Sequence, residues 1–227
     1  MATLAFDIYG TLINTDGIVS QLTEVVGSKA EEFSQTWRNK QLEYSFRRGL
    51  MRRYENFSVC TCDALKYTCG HHCVSLTQEQ KNMLLTGYHN LPAFDDVKES
   101  LETLREDGHQ LYAFSNGSAK AVKTLLVANE LQDFFRKVVS CDEVKTFKPN
   151  PKVYQYFLEE SNSPKDPWLI SSNPFDVIGA ISAGMKAAWI KRSSNTIFDP
   201  WGIEPTATVS TLSKLHELLR SAPEEAD

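Results

Sequence analysis

A short apolar run opens the chain and ends in a polar turn. Residues 3–6 read Thr-Leu-Ala-Phe, and Asp7, Gly10 and Thr11 follow them, a pattern typical of a buried parallel strand that ends in a tight loop. In an open α/β sheet the ligand site lies outside the carboxyl ends of the strands. We therefore expect Asp7 to stand at a functional edge, although Asp is also common as a simple turn residue.

The hydrophobic spacing becomes helical after Thr11 and stays helical as far as Leu91-Pro92, where proline breaks the run. Ser28-Lys29-Ala30-Glu31 predicts a capping box at the start of a long helix, and Thr77-Gln78-Glu79-Gln80 predicts a second one. The predicted helices cover residues 18–26, 30–54, 63–73 and 78–88. Residues 14–91 are thus predicted to form one helical subdomain, inserted after the first strand.

From residue 92 onward, strand-like and helical segments alternate, as they do in a doubly wound sheet. The predicted strands cover residues 111–114, 138–140, 168–170 and 187–190 and include Val209, and the predicted helices cover 97–105, 119–129, 151–161, 175–183 and 212–220. We predict an α/β fold: a Rossmann-like parallel sheet core made of residues 1–13 and 92–227, with residues 14–91 as a helical cap. The acidic tail, Pro223 to Asp227, is expected to be disordered.

Net charge narrows the class of partner. The chain has 227 residues and a formal charge of -5, whereas nucleic acid binding requires a clustered positive surface. The sequence has neither an N-terminal export signal nor an apolar run near the roughly 18 residues of a membrane span. We expect a cytoplasmic protein with a small-molecule substrate, and neither a nucleic acid nor a membrane partner.

A cysteine-rich stretch raises the question of a zinc site. Cys60, Cys62, Cys69 and Cys73 lie close to two histidines, but their spacing contains no CxxC pair. Helical spacing would place Cys62, Cys69 and Cys73 on one apolar face, as buried inert thiols. We expect reduced cysteines, no metal site and no cofactor.

Polar clusters follow three of the predicted strands: Asp7 to Thr11, Ser115-Asn116, and Ser171 to Asp176. Parallel strands bring such clusters to one edge of the sheet. A fourth cluster contains Lys148, which precedes a proline and is therefore expected on an extended segment.

This order of motifs resembles the haloacid dehalogenase superfamily over nearly the whole chain. Phosphatases of that superfamily carry a second Asp two residues after the nucleophile, as general acid, and paired acidic residues that help to bind Mg²⁺ near the fourth motif. Here Tyr9 stands at the first place, and the fourth motif reads Ser171-Ser172-Asn173-Pro174-Phe175-Asp176. A departing halide needs neither a proton nor a metal, unlike a departing phosphate ester oxygen.

Asp7-Ile8-Tyr9-Gly10-Thr11 and the helical segment from Trp37 to Tyr44 are similar to the L-2-haloacid dehalogenase branch. The resemblance implies hydrolysis of (S)-2-haloacids to (R)-2-hydroxyacids and halide, with inversion and without a metal. Asp7 would form an ester with the substrate, Arg38 would stabilise the halide, Lys148 would keep Asp7 ionised, and Asp176 would activate water. Phe175, where the branch often has Trp, and Asn39, where Gln is common, depart from the pattern.

The resemblance also implies supporting roles. Expected hydrogen-bond donors to Asp7, to the substrate carboxylate or to water are Thr11, Ser115, Asn116, Ser171 and Asn173, and Tyr154 is expected to support Lys148 or Asp176. The expected substrate-binding residues are Tyr9, Arg38, Leu42, Phe57, Ser115, Asn116 and Phe175. Each assignment has a structural alternative: Arg38 could lie on a solvated helix face, as expected for Arg47, Arg48, Arg52 and Arg53, and Tyr154 could be a core aromatic.

Three other functions stay open. Ring opening of azetidine-2-carboxylate could use the same Asp ester, but its leaving group is an amine that needs a proton. A proton donor would then be expected in place of Arg38, so Arg38 disfavours this reaction. A phosphatase would depend on Mg²⁺, and a non-catalytic binding protein could retain the fold. The sequence leaves the halogen and the acid chain length open. A homodimer, common in the branch, is possible.

Overall fold

The computed structural model describes residues 1–162 and 167–221, and within them a single parallel sheet of six strands. The strands are Thr3–Phe6 (β1), Gln110–Ser115 (β2), Lys137–Ser140 (β3), Trp168–Ser171 (β4), Lys186–Ile190 (β5) and Ala207–Val209 (β6). Their order is β3-β2-β1-β4-β5-β6, and every neighbouring pair is parallel. The predicted Rossmann-like sheet is confirmed. The strand order reverses beside β1, and ligand sites form at such a switch point.

Nine α-helices accompany the sheet in the described part of the chain. They are Val19–Val26 (α1), Ala30–Leu50 (α2), Phe57–His71 (α3), Gln78–Gly87 (α4), Val97–Glu106 (α5), Ala119–Ala128 (α6), Pro151–Ser161 (α7), Pro174–Ser182 (α8) and Ser213–Ser221 (α9). None of the helices in the described residues is long and apolar enough to cross a membrane.

The cap helices, α1 to α4, follow one another without an intervening strand, between β1 and α5. Trp37 of α2 joins them: its indole Nε1 donates to the Thr61 carbonyl of α3 at 2.9 Å, and its ring lies 4.7 Å from that of Tyr88. Trp37 is fully buried, so it fixes how these helices pack. The domain bounds of 14–91 and of 1–13 with 92–227 stay a prediction.

The predicted N-terminal cap and the predicted C-terminal end of α2 were both wrong. Ser28 does not cap α2: a 3-10 turn, Gly27–Lys29, leads directly into the helix, and the Ala30 N–H donates to the Gly27 carbonyl. Because the turn supplies a backbone acceptor, a side-chain cap is not needed. The helix also ends at Leu50 and does not reach Tyr54, since Arg52 has a positive φ of 55°.

The second capping box is confirmed, because Thr77 Oγ1 accepts from the Gln80 N–H at 3.2 Å and Gln80 Oε1 accepts from the Thr77 N–H at 2.9 Å. The next helix back, α3, starts at Phe57, six residues before the predicted Asp63, because Asn56 caps it and accepts from the Ser58 N–H at 3.0 Å. The acidic tail that was expected to be disordered lies outside the described residues.

The prediction that three cysteines share one apolar face was wrong. Cys69 is buried and Cys62 is half-buried, whereas Cys73 is exposed because α3 ends at His71 and Cys73 itself has a positive φ of 54°. Among residues 1–162 and 167–221, no three His, Cys, Asp or Glu side chains are grouped so that they could hold a metal ion.

Candidate active site

The loop after β1 folds back on itself at the carboxyl edge of the sheet. The backbone N–H groups of Leu12 and Ile13 both donate to the Ile8 carbonyl, and the Gly10 N–H donates to Ile13. Gly10 has φ +86°, which a residue without Cβ adopts at little cost. This tight loop brings Thr11 back over Asp7.

Asp7 is 7% exposed and its two carboxylate oxygens differ in their surroundings. Oδ2 accepts three hydrogen bonds, from Asn173 Nδ2 at 2.7 Å, Thr11 Oγ1 at 2.8 Å and Ser171 Oγ at 3.3 Å. Oδ1 contacts Lys148 Nζ at 3.2 Å. The carboxylate is thus held firmly through one oxygen, while the other carries a single and longer contact.

Lys148 is a buried ammonium between two carboxylates. It is 1% exposed, and its Nζ lies 2.8 Å from Asp176 Oδ2, 3.2 Å from Asp7 Oδ1 and 2.9 Å from the Phe114 carbonyl. Burial alone would lower the pKa of Lys148, but Asp176 and Asp7 reverse the effect and raise it above its ordinary value. Its own backbone N–H donates to Asn116 Oδ1 at 2.9 Å, which fixes the loop.

Asp176 lies in the first turn of α8 and is fully buried. Its Oδ2 accepts from Lys148, and its Oδ1 accepts from the Tyr154 hydroxyl at 2.8 Å. Burial raises the pKa of Asp176 to about 6; the charge of Lys148 opposes this rise and the charge of Asp7 adds to it. A carboxylate with such a pKa can exchange a proton near neutral pH.

Arg38 reaches from α2 of the cap to the β1 loop of the core. Its Nη2 donates to the Tyr9 carbonyl at 3.3 Å, and its Nη1 donates to Gln41 Oε1 at 2.6 Å. Gln41 is fully buried and donates through Nε2 to Thr61 Oγ1 at 2.6 Å. The guanidinium is therefore fixed beside the loop that carries Asp7, and the alternative of a solvated helix face does not describe it.

Residues 4–190 match the family model described as haloacid dehalogenase-like hydrolase. The chain belongs to this family. It is 35% identical over 225 residues to an (S)-2-haloacid dehalogenase of Pseudomonas sp. (strain YL), covering 99% of this chain and 97% of that protein. A second (S)-2-haloacid dehalogenase, from Pseudomonas putida, is 34% identical over 217 residues and 95% of each chain.

A solved L-2-haloacid dehalogenase from Xanthobacter autotrophicus, with chloropropionic acid covalently bound, has a similar fold. The TM-score is 0.89 at 28% identity, and the match covers 98% of this chain and 100% of that one. The hydrolase fold predicted from the order of motifs is thereby confirmed.

In this haloacid dehalogenase-like hydrolase, most residues predicted for catalysis form one hydrogen-bonded group. The members of the group are Asp7, Thr11, Lys148, Tyr154, Ser171, Asn173 and Asp176. Ser115 and Asn116 lie beside it without bonding Asp7: Ser115 Oγ accepts from the Gly117 N–H at 3.1 Å, and Asn116 Oδ1 accepts from Lys148.

The predicted apolar walls lie where the cap meets the core of the hydrolase. The ring of Tyr9 is 6.0 Å from that of Phe57, and the ring of Phe175 is 5.0 Å from that of Phe46 on α2. Leu42 is half-buried on the same helix. Both ring pairs join one of the helices inserted after β1 to a residue that follows a strand end.

Sequence reasoning missed three residues that support the hydrolase site. Gln41, three residues after Arg38 on one helix face, could have been found from that spacing. Ser172 donates its N–H to Thr11 Oγ1 at 2.9 Å, and Arg192 Nη2 donates to the Thr11 carbonyl at 2.7 Å. Arg192 follows β5, and only the strand order brings it to the β1 loop.

Proposed function

We propose that the protein hydrolyses (S)-2-haloacids to (R)-2-hydroxyacids and halide through an ester of Asp7, without a metal. The observation that carries the proposal is the buried Asp7 carboxylate, held by Lys148 and three neutral donors while Arg38 of the cap stands beside its loop. The substrate class is that of the named relatives, which are 34–35% identical over nearly the whole chain.

In the first step Oδ1 of Asp7 attacks the α-carbon of the substrate from the side opposite the halogen. The O–C bond forms as the carbon–halogen bond breaks, so the centre inverts and halide leaves with the bonding electrons. Oδ1 is the better nucleophile of the two oxygens, because one 3.2 Å contact leaves its lone pairs more available than the three bonds to Oδ2. Arg38 stabilises the departing anion.

The substrate carboxylate finds donors at the strand ends. The backbone N–H groups of Ile8 and Tyr9 have no acceptor within the described residues. The Ser115 hydroxyl accepts from Gly117 and keeps its own proton for donation, and the Asn116 side chain uses its oxygen and leaves its amide N–H groups for the same purpose. Buried donors of this kind are costly unless they are paired, which favours an anionic group here.

In the second step water attacks the ester carbonyl carbon of Asp7, and negative charge develops on Oδ2. Asn173, Thr11 and Ser171 already donate to that oxygen, so they form an oxyanion hole that needs no rearrangement. Asp176 takes one proton from water. It returns this proton to Oδ1, the oxygen of the product, as the bond between Oδ1 and the carbonyl carbon of Asp7 breaks. The hydroxyacid keeps the former Oδ1, and the oxygen of water replaces it in the carboxyl group of Asp7. The second proton of that water is released to solvent, which renews the carboxylate.

The surroundings of Asp7 do not suit Mg²⁺, which takes oxygen ligands. A Lys ammonium and hydrogen-bond donors surround the carboxylate. At the place of a phosphatase's general acid stands Tyr9, whose pKa burial raises to about 12, so it is a poor source of a proton for a phosphate ester or for the amine of a ring-opening reaction.

The first experiment is halide release from each enantiomer of 2-chloropropionate in EDTA, by the wild type, Asp7→Asn and, as a control, Asp133→Asn at an exposed site. We expect release from the (S) enantiomer alone, lost in Asp7→Asn and retained in the control. A single turnover in ¹⁸O-labelled water should label Asp7 and leave the product unlabelled. Label in the product, or turnover only with Mg²⁺ and a phosphate ester, would overturn the proposal.

A further inference from the structure

Arg192 reaches the loop after β1 from a strand that is not the neighbour of β1. It follows β5, and β4 lies between β5 and β1 in the sheet. Its Nη2 and Nε donate to the Thr11 carbonyl at 2.7 Å and 3.2 Å, and its side chain is 15% exposed. Two donors of one guanidinium thus converge on a single oxygen of the loop that carries the proposed nucleophile, Asp7.

The guanidinium of Arg192 is fixed on its other sides as well. Its Nη1 donates to both carboxylate oxygens of Asp96 at 2.7 Å, and its Cζ lies 4.2 Å from the centre of the Phe94 ring. Asp96 is held in turn by the Leu212 N–H, which donates to its Oδ2 at 2.7 Å. An ion pair and a cation–π contact therefore fix the orientation in which Nε and Nη2 point at Thr11.

The backbone of Thr11 is held less firmly from its other side. Its own N–H donates to the Ile8 carbonyl at 3.3 Å, the longest of the three backbone bonds that this carbonyl accepts. Gly10 precedes Thr11 with φ +86°, and glycine has more conformational freedom than other residues. The charge-assisted bond from Arg192 is thus the strongest hydrogen bond to the Thr11 backbone.

The side chain of Thr11 has to be placed accurately. Its Oγ1 donates to Asp7 Oδ2 at 2.8 Å and accepts from the Ser172 N–H at 2.9 Å. Hydrogen bonds weaken steeply at angles below about 120°, and displacement of a catalytic group by about 1 Å can cost about 10²-fold in rate. A shift of the Thr11 backbone would therefore weaken its bond to Oδ2, the oxygen that becomes negative in the proposed second step.

We infer that Arg192 is a positioning residue: by fixing the Thr11 carbonyl, it holds the Thr11 hydroxyl on Asp7 Oδ2. The inference rests on the proposed function for the step that benefits, which is hydrolysis of the Asp7 ester. In the described part of the chain, the side-chain hydrogen bonds of Arg192 go to Thr11 and Asp96. Its effect on the reaction therefore passes through Thr11.

A single turnover of (S)-2-bromopropionate, quenched rapidly, tests this role. Bromide release gives the rate of ester formation, and the mass of the protein gives the rate of ester hydrolysis. We expect Arg192→Lys to slow hydrolysis about tenfold or more and to leave formation nearly unchanged, because Lys keeps the positive charge beside Asp96 but lacks the planar fork that reaches Thr11. Misfolding would instead lower the amount of reacting enzyme and leave both first-order rates unchanged.

A double-mutant cycle decides whether Arg192 acts through Thr11. Thr11→Val keeps the shape of the side chain and removes the hydroxyl, and it should slow hydrolysis about 10²–10³-fold, as expected for one donor of an oxyanion hole. Adding Arg192→Lys to Thr11→Val should cause no further slowing. Equal slowing by Arg192→Lys in both backgrounds, or none in the wild-type background, would overturn the inference.

The matched control is Arg105→Lys. Arg105 also donates to a backbone carbonyl, that of Asp133 at 3.2 Å, and also lies over a phenylalanine ring, that of Phe134 at 5.3 Å. Its replacement should leave the rate of ester hydrolysis unchanged. Slowing equal to that of Arg192→Lys would contradict an effect specific to Thr11.

Amide hydrogen exchange separates this inference from the proposed function, because it needs no turnover. The N–H groups of Leu12 and Ile13, which donate to Ile8, should exchange faster in Arg192→Lys than in the wild type or in Arg105→Lys. Absence of halide release by the wild type would refute the proposed function. Faster exchange in that case would still support the hold of Arg192 on Thr11, whereas unchanged exchange would overturn it.

Discussion

Replacement of Asn173 by alanine is expected to slow hydrolysis of the ester far more than its formation. Asn173 Nδ2 makes the shortest of the three hydrogen bonds to Oδ2 of Asp7, at 2.7 Å. In the second step that oxygen gains a full negative charge, whereas in the first step it starts as half of a carboxylate and ends as a neutral carbonyl oxygen. The hydrogen bond from Asn173 is therefore strongest in the transition state of ester hydrolysis. Asn173→Ala removes this stabilisation and slows that step most.

The magnitude follows from the place of Asn173 in the oxyanion hole. Removal of one such donor costs about 10²–10³-fold in rate, and Thr11 at 2.8 Å and Ser171 at 3.3 Å remain to limit the loss. Ester formation should hardly slow, because the carboxylate loses a hydrogen bond that stabilised its charge before attack. The contact of Asn173 with the Tyr9 carbonyl, 3.1 Å, is also lost, but Arg38 still holds that carbonyl.

Rapid mixing of Asn173→Ala with (S)-2-bromopropionate should give a burst of bromide equal to the amount of enzyme, followed by slow release. The intact mass of the protein should then show the bound acid. A control, Ser172→Ala, removes the neighbouring hydroxyl, which donates to the Gly10 carbonyl and lies 3.0 Å from Thr11 Oγ1, and leaves the three donors to Asp7 Oδ2 in place. Slow turnover of Asn173→Ala without a burst and without a mass adduct would refute the assignment of Oδ2 as the oxyanion.

Two further predictions concern charge and the halide. The pKa of Asp176, followed by ¹³C NMR, should be about 6 in the wild type and lower in Asp7→Asn, because the charge of Asp7 raises it; an unchanged or higher value would contradict the coupling. Gln41→Leu should weaken bromide inhibition about tenfold by freeing Arg38 to leave the site, whereas Gln35→Leu, at an exposed position of the same helix, should leave it unchanged.

The parts of the site that lie at strand ends could be predicted from the sequence. Asp7, Ser115 and Ser171 each follow or end an apolar run, and parallel strands bring such positions to one edge whatever the details of the loops. The positions of Asp176, on a helix, and Lys148, on a loop, could not be predicted from the strand ends alone. Their roles were predicted from the resemblance. The buried contacts of these residues with one another required the structure.

The parts that failed depend on packing between segments. The sequence around Ser28 matches the pattern of a capping box, yet a 3-10 turn supplies the acceptor for the Ala30 N–H. The local sequence does not distinguish these two ways of starting the helix. Thr61 supports Gln41 from a different helix, and Arg192 reaches Thr11 only because β5 lies beside β4. Contacts between distant segments have no local periodicity to reveal them.

The charges in the site change in a sequence that suits the two proposed steps. Before the reaction Lys148 lies between two carboxylates, and the charge of Asp7 keeps the pKa of Asp176 raised. Once Asp7 is an ester it is neutral, so that contribution disappears, while Lys148 at 2.8 Å continues to favour the ionised form of Asp176. The pKa of Asp176 therefore falls when the ester forms. A group with a pKa of about 6 is already mostly ionised at pH 7, so the fall makes the base more fully ionised at the stage when water has to be activated. Formation of the ester thus favours its hydrolysis.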